Sequence, residues 1–422
     1  MMTFNSLSVY GWRQYDEIEI NFHPHLTVFT GSNGAGKTTL LNILSQHFGW
    51  NSSFISTPKR GFRGVIRYVA DIKRNRRTKF NTLQNLPQIG NLSYSNGASS
   101  ELRVPEDTSA SSQYQIWFSN QQPVNGIFVS SHRPLYFYQP VTSIPTQVNA
   151  KDQLLNQYLN ELKNRYVVNA RNPSASFRIK EALISLAALG YGNEAVARND
   201  DAIKTFEGFQ EILRLVLPKS LGFKRLHVEL PEVVLRTASG DFSFDAVSGG
   251  IAAIIDLSWQ VYMASLNYEN FVTVIDEPEN HLHPELQREM LPNFIEAFPR
   301  SQFVIASHNP FMVTSVPDSH VYALRYIKAQ IEEDRESVDR EVRSFLLDTV
   351  NKAGTSNEVL REVLGVPITM PLWAEARIDE IVNKHAQLNL DEGNLREMLA
   401  ELSQLGLEHL FPDAVSRVIE GR

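Results

Sequence analysis

The feature that most restricts this chain is Gly31-Ser32-Asn33-Gly34-Ala35-Gly36-Lys37-Thr38-Thr39, a glycine-rich loop that follows the apolar run from Leu26 to Thr30. It fits G-x-x-x-x-G-K-[ST] at every fixed position, and Leu40, Leu41, Ile43 and Leu44 fall on or near one face of a following helix. Strand, loop and helix in that order are the context in which such a loop cradles phosphate. The glycines let backbone N–H groups turn inward, and the helix directs its positive dipole end at the anion. Lys37 is then placed to reach the β- and γ-phosphates of ATP, and the Thr38 hydroxyl to ligate Mg2+. A chance glycine-rich turn would lack the flanking strand and helix.

Composition removes several other classes. The 47 acidic and 40 basic residues give a net charge of −7, against a protein that binds nucleic acid over its whole surface. Zero cysteines exclude disulfides, Cys-ligated zinc, iron–sulfur clusters and a thiol nucleophile. The N-terminal stretch has no basic segment followed by an apolar one, so no secretory signal is expected. No apolar run reaches the roughly 18 residues of a membrane helix, since Ile251 to Leu257 is interrupted by Asp256. A soluble cytoplasmic protein of two or three domains is expected from 422 residues of 42% hydrophobic content.

Along the chain, residues 3–30 alternate short β-like runs with turns, and residues 51–125 read as an antiparallel meander with a floppy loop around Tyr94 to Ser112. From Asp152 to Leu217 the pattern is helical in several pieces, broken by Asn172-Pro173, Gly190 to Gly192 and Pro218. Strands return at Phe223 to Leu230 and Val233 to Thr237, before an apolar helix beginning near Ser248. Phe271 to Ile275 and Gln302 to Ala306 read as buried strands around a helix from Pro284 to Ala297, a βαβ unit feeding a parallel sheet. Beyond about Ile327 the chain is charged and helical, with a break at Asn351 to Ser356. The expected domains are an N-terminal lobe over 1–150, a helical insertion over 151–222, a C-terminal lobe over 223–327 and a helical region over 328–422.

Three further constellations complete a site. The strand Val272 to Ile275 ends in Asp276-Glu277, which puts Asp276 at the sheet edge to hold a water on Mg2+ and Glu277 beside it as general base for an attacking water. The next strand ends in Ser307-His308, and a histidine there can hydrogen-bond a γ-phosphate oxygen. Ser248-Gly249-Gly250 at a helix start offers a hydroxyl, unobstructed N–H groups and a dipole end, but no lysine. A chain that already has a P-loop needs no second cradle for the same nucleotide, so the natural use is to close over the ATP of a second copy. The plain alternative is an ordinary helix cap with glycines.

In that chain order these motifs resemble the ATP-binding-cassette ATPases over roughly residues 1–325. The resemblance implies an α/β P-loop NTPase fold of the ABC-ATPase head type: a mixed sheet with an antiparallel subdomain, a helical insertion and a helical C-terminal region. It also implies a homodimer, or a higher homo-oligomer, with two ATP molecules sandwiched between P-loop and signature. The wording Asp276-Glu-Pro-Glu-Asn-His-Leu-His-Pro284 followed by Ala306-Ser-His-Asn-Pro310 looks like the branch holding RecF, OLD-type proteins and ATPases of anti-phage systems, Septu and PARIS among them. The long insertion between Lys37 and Ser248 is unlike transporter cassettes and far shorter than the arms of structural-maintenance-of-chromosomes proteins. That branch implies a nucleotide-reaching arginine at Arg13, a Q-loop glutamine at Gln139 with Gln147 as rival, and a D-loop at Leu282-His283-Pro284. The signature departs from the usual Leu-Ser-Gly-Gly, with Val247 for leucine and Ile251 after the glycines.

His281 and His283, flanked by Glu279 and Glu285, could be drawn as a metal site, but alternate positions in a D-loop account for them. Lys59, Arg60, Arg63, Arg67, Lys73, Arg74, Arg76, Arg77 and Lys79 face Asp71 alone, a stripe that can bind a nucleic-acid backbone, dock an acidic partner or form a solvated strand face. The leading expectation is an ATP-driven switch that controls a separate effector, an HNH or Toprim nuclease, in anti-phage defence. No strand-alternating acidic pattern after Ala323 would supply a Toprim nuclease within this chain. A RecF-like repair ATPase that binds DNA directly is the second reading, and a transporter ATPase the third.

Overall fold

The computed structural model describes residues 2–60, 66–73, 86–105, 112–133, 138–145, 147–167, 175–328, 340–348, 358–363, 372–386 and 392–420. The chain forms two compact units, Met1–Val359 and Leu360–Arg422.

The first unit is organised by an 11-stranded sheet. Its parallel half consists of β3 (Leu26–Gly31), β16 (Ser301–Ala306), β15 (Phe271–Asp276) and β11 (Gly126–Val129), adjacent in that order. All six residues of β3, β15 and β16 are buried, as unbroken apolar runs covered on both faces should be. The sheet order carries the C-terminal ends of β3, β15 and β16, and with them Gly31, Asp276 and Ala306, to neighbouring positions on one edge. The antiparallel half is β1 (Phe4–Trp12), β2 (Tyr15–Asn21), β7 (Gln88–Tyr94), β8 (Ser99–Arg103) and β10 (Trp117–Phe118). Phe4, Leu7 and Val9 of β1 are buried, and the residues between them reach the surface, so one face of this half packs on the core. Smaller pairings join β4 (Phe54–Ile55) to β9 (Gln113–Tyr114) and β5 (Thr57–Arg60) to β6 (Ile66–Val69).

Two expectations are corrected here. The segment from Tyr94 to Ser112 holds β8, which pairs with β7 through a turn closed by Gly97, because Leu102 and Ser100 point into the core. The stretch after Ile327 is not helical from its start. β17 (His320–Lys328) ends at its first residue, and β18 (Arg340–Leu346) returns antiparallel to β17 and parallel to β2. β18 therefore joins the two halves of the sheet. The expected break at 351–356 lies outside the described residues.

Three helices lie within 151–222: α2 (Lys151–Val167), α3 (Ala175–Gly190) and α4 (Asp200–Val216). Asn199 caps α4 by accepting the Ala202 N–H, and Phe206, Phe209 and Leu213 form its buried stripe. They pack on α5 (Gly249–Asn267), which is buried on all sides from Ile251 to Ala264. Phe209 meets Trp259 edge to face at 5.0 Å, and the Tyr262 hydroxyl donates to the Thr205 carbonyl at 3.0 Å. A three-stranded sheet of β12 (Phe223–Glu229), β13 (Glu232–Thr237) and β14 (Asp241–Ser243) precedes α5. α1 (Lys37–Ser45), α6 (Pro284–Ala297) and α7 (Pro310–Thr314) follow β3, β15 and β16.

The second unit contains helices Leu372–Ala386, Glu392–Gln404 and Phe411–Glu420, packed around Ile378, Ile381, Met398, Leu402, Ala414 and Val418.

Candidate nucleotide site

The glycine-rich loop leaves β3 at Gly31, whose φ of 139° is a glycine conformation, and a Cβ there would run into the Leu324 carbonyl oxygen. It enters α1 at Gly36, also left-handed with φ 97°. The β1–β2 hairpin braces it: the Tyr15 hydroxyl donates to the Gly36 carbonyl at 2.6 Å and Gln14 Nε2 to the Gly34 carbonyl at 3.4 Å. Arg13, in a left-handed turn with φ 53°, lies in the same hairpin, its guanidinium 5.8 Å from the Trp12 ring centroid and 6.0 Å from that of Phe54. Lys37 is buried and donates Nζ to the carbonyls of Gly31 at 2.8 Å and Ser32 at 3.2 Å. Burial lowers its pKa, and the carboxylates of Glu277, Asp276 and Glu279 partly oppose that.

Asp276 ends β15 directly under this loop and accepts the Thr38 hydroxyl at 3.0 and 3.2 Å. Burial pushes its pKa up to about 6, with the neighbouring carboxylates adding and the Thr38 bond and Lys37 subtracting. Glu277 turns left-handed with φ 47°, costing about 1–3 kcal/mol for a non-glycine residue. Its N–H donates to the Ala306 carbonyl at 2.9 Å, and its own carbonyl accepts Arg133 Nη2 at 3.2 Å. Asn280 Nδ2 donates to Glu277 Oε2 at 3.1 Å, so the carboxylate is aimed as well as placed. His308 Nδ1 lies 3.6 Å from both Glu277 Oε1 and Glu279 Oε1, and the histidine side chain is 51% exposed.

Sequence reasoning treated Glu279 only as a neighbour of two histidines. It is buried, and its Oε1 accepts the Ser307 hydroxyl at 2.7 Å and the His308 N–H at 3.2 Å. It therefore fastens the tip of β16 to the turn after β15. His283 caps α6 by accepting the Glu285 N–H, and Leu282 is buried. A further wall was also missed: Ser130, Ser131 and His132, directly after β11, share with Thr38, Asp276 and Glu277 a cleft of about 710 Å3. Gln139 is not among the residues lining that cleft; its N–H donates to Asp245 at 3.3 Å and its carbonyl accepts Lys180 Nζ at 2.7 Å. Gln147 is exposed and does not line it either. The adjacency of β11 and β15 in the sheet was the missing signal, and a four-residue strand without a motif does not announce it.

Ser248, Gly249 and Gly250 stand apart from these contacts. Ser248 is the N-cap of α5 without a side-chain cap bond, and Ser248 and Gly249 are exposed. A Cβ on Gly249 would meet nothing within 4 Å, whereas one on Gly250 would come within 2.8 Å of the His281 carbonyl oxygen. The signature thus abuts the expected D-loop of its own subunit. Among the described residues, none of the side-chain hydrogen bonds at Lys37, Thr38, Asp276 or Glu277 involves Ser248, Gly249 or Gly250.

No cluster of three or more His, Cys, Asp or Glu side chains is arranged to hold a metal among the described residues. The Thr38 hydroxyl bonded to the Asp276 carboxylate is an all-oxygen donor pair, which fits Mg2+ provided that phosphate and water fill the remaining positions. In the basic stripe, Lys59 pairs with Asp71 at 3.2 Å and Lys73 with Glu341 at 2.9 Å, while Arg60 and Arg67 are exposed on the β5–β6 hairpin. Arg63, Arg74, Arg76, Arg77 and Lys79 lie outside the described residues. No described helix is long and apolar enough to cross a membrane.

A P-loop between β3 and α1, paired carboxylates at the end of β15, a histidine just after β16 and a Ser-Gly-Gly helix start after an inserted helical segment define an ABC-type ATPase head. The chain belongs to the family described as AAA domain, putative AbiEii toxin, Type IV TA system, which matches residues 26–314. It is 21% identical over 421 residues to the Septu protein PtuA of Bacillus thuringiensis, covering 96% of this chain and 94% of that protein. It is 23% identical over 199 residues to the Retron Ec83 probable ATPase of Escherichia coli, covering 44% of this chain and 35% of that one. Among solved structures, an Smc head bound to the C-winged helix domain of ScpA matches 82% of this chain and 99% of its own, with a TM-score of 0.46 and 14% identity.

Proposed function

We propose that the chain binds ATP with Mg2+ on Gly31 to Thr39, that two copies close so that Ser248 to Gly250 of each covers the nucleotide of the other, and that hydrolysis in this closed pair controls a separate effector in anti-phage defence. The observation that carries the reading is the split of the site: Lys37, Thr38, Asp276 and Glu277 converge within one subunit, while the anion-binding helix start at Ser248 and Gly249 is bare. Similarity to the Septu protein PtuA along nearly the whole chain and to a retron ATPase supports the defence setting. The effector is a nuclease of HNH or Toprim type on another polypeptide, for which the helices after Leu360 offer docking surface.

The residues divide the work by chemistry. Lys37 exchanges the carbonyls of Gly31 and Ser32 for β- and γ-phosphate oxygens, anionic acceptors in place of neutral ones. Thr38 and Asp276 would hold Mg2+, which when bound would offset negative charge on the phosphates. Glu277, aimed by Asn280, accepts the proton of the attacking water. His308, its main chain fixed by Glu279, donates to a γ-phosphate oxygen. Arg13 and the glycine-rich loop bind the remainder of the nucleotide.

The test is the mass of Glu277→Gln with ATP and Mg2+, measured by light scattering. A doubling that Ser248→Arg abolishes is expected, and a mass of one copy at saturating nucleotide refutes the closed pair. A second reading, a RecF-like DNA repair ATPase, is favoured by the exposed Arg60 and Arg67. It expects DNA affinity that falls with salt and a shallower salt slope in Arg60→Gln with Arg67→Gln.

A further inference from the structure

Outside the nucleotide site, the most constrained charge in the described chain is Lys180 of α3. Its side chain is 0% exposed and touches three other segments. Nζ donates to Glu232 Oε2 of β13 at 3.1 Å, to the Gln139 carbonyl at 2.7 Å, and to Asp245 Oδ2 in the turn Phe244–Ala246. Asp245 Oδ2 also accepts the Gln139 N–H, so the two peptides that flank Gln139 are held, one by the aspartate and one by the lysine. Two carboxylates share one ammonium, and Glu232 Oε1 and Asp245 Oδ1 are each buried without a hydrogen-bond partner among the described residues.

Burying such a cluster is a poor way to gain stability, because an apolar group of the same volume does as well without desolvating charge. What charge adds is direction. Asp245 stands three residues before Ser248, in the turn that delivers the signature to the start of α5. Gln139 stands on the segment that continues from Ser130, Ser131 and His132, the cleft wall beside Asp276 and Glu277. Lys180 thus joins the insertion, the approach to the signature and the segment leaving the catalytic cleft.

We propose that Lys180 is a positioning residue for the signature: through Asp245 it sets the attitude of Ser248 to Gly250 against the nucleotide of the partner copy, with Gln139 held against the same aspartate. The inference rests on the closed-pair reading above. It assigns Lys180 no contact with ATP.

The experiment uses the full chain and ATP. Lys180→Met, together with Lys180→Met, Glu232→Gln and Asp245→Asn combined as a neutral cluster that keeps its shape if the single variant misfolds, should bind ATP within about twofold of the unsubstituted protein and turn it over at least about tenfold more slowly. Mixing either variant with Lys37→Ala should restore turnover to about a quarter of normal, because half the pairs are mixed and each has one working site, a sound P-loop facing a sound signature. The control is Ser248→Arg mixed with Lys37→Ala. Unchanged turnover, equal loss of binding and turnover, or failure of the Lys180 mixtures where the control recovers would overturn the role of Lys180. Failure of the control removes the closed pair itself, and this inference with it.

Discussion

The two candidate anion-binding helix starts of this chain differ in how their side chains are engaged. Neither start has a side-chain cap bond, but at α1 the side chains are engaged within the subunit: Lys37 on two carbonyls and Thr38 on Asp276, with the Gly36 carbonyl under Tyr15. At α5 the serine makes no cap bond and Gly249 looks into open space, although the helix behind it is the most deeply buried of the fold. The first N–H groups of this exposed terminus have no partner within the helix and are left to water, which an anion can replace. Under the proposed closed pair the difference makes the two ends complementary halves. One would store its polar contacts internally until phosphate replaces them; the other would be held in place for a ligand carried by another molecule.

That contrast can be broken at graded points. The largest effect belongs to Glu277→Gln, which should slow phosphate release about 10²- to 10⁴-fold, the usual contribution of a general base, while ATP still binds. Turnover equal to the unsubstituted protein would end the assignment. Lys37→Ala comes next: ATP affinity in an equilibrium titration should weaken by about 1.5–3 kcal/mol, the worth of a hydrogen bond to a charged group. Undiminished affinity would place the phosphates elsewhere.

Asp276→Asn sharpens the comparison through pH. The folded pKa of Asp276 lies above its ordinary value, so the folded state holds the proton more tightly. Its contribution is therefore neutral below about pH 4 and unfavourable above about pH 6. Nucleotide-free Asp276→Asn should gain up to about 3 kcal/mol in urea unfolding at pH 8, less the lost Thr38 bond, and nothing near pH 3.5. A loss at pH 8 would contradict the strained carboxylate. The smallest effect is expected at the bare end, where Gly249→Ala should shift thermal unfolding by no more than about 0.5 kcal/mol. Gly250→Ala, whose methyl would press on the His281 carbonyl, should destabilise by more.

Much of this site is legible in sequence because its parts are local. An unbroken apolar run ending in Gly-x-x-x-x-Gly-Lys-Thr or Asp-Glu states strand, edge and chemistry in one stretch, and β3, β15 and β16 fall where those runs stand. What escaped notice depends on neighbours far away in the chain. Ser130, Ser131 and His132 gain meaning only from the pairing of β11 with β15. Glu279 looks like a polar turn residue until Ser307 and His308 are brought against it. Lys180 belongs to no motif, and only the convergence of β13, Asp245 and Gln139 buries it. β18 follows a polar stretch and reads as part of a helical region, because nothing near it reveals that two open edges await it.

That late strand makes the ATPase head a clasp rather than a bead on a string. Val342 sits beside Tyr15 and Arg343 beside Glu17, so the hairpin that braces the phosphate loop gains its last neighbour only after nearly the whole head has been synthesised. A polypeptide cut ahead of Arg340 would be no smaller working version of this unit. It would leave β2 and β17 as raw flanks, ready to recruit stray strands, and the loop can be locked only after Arg340–Leu346 has left the ribosome.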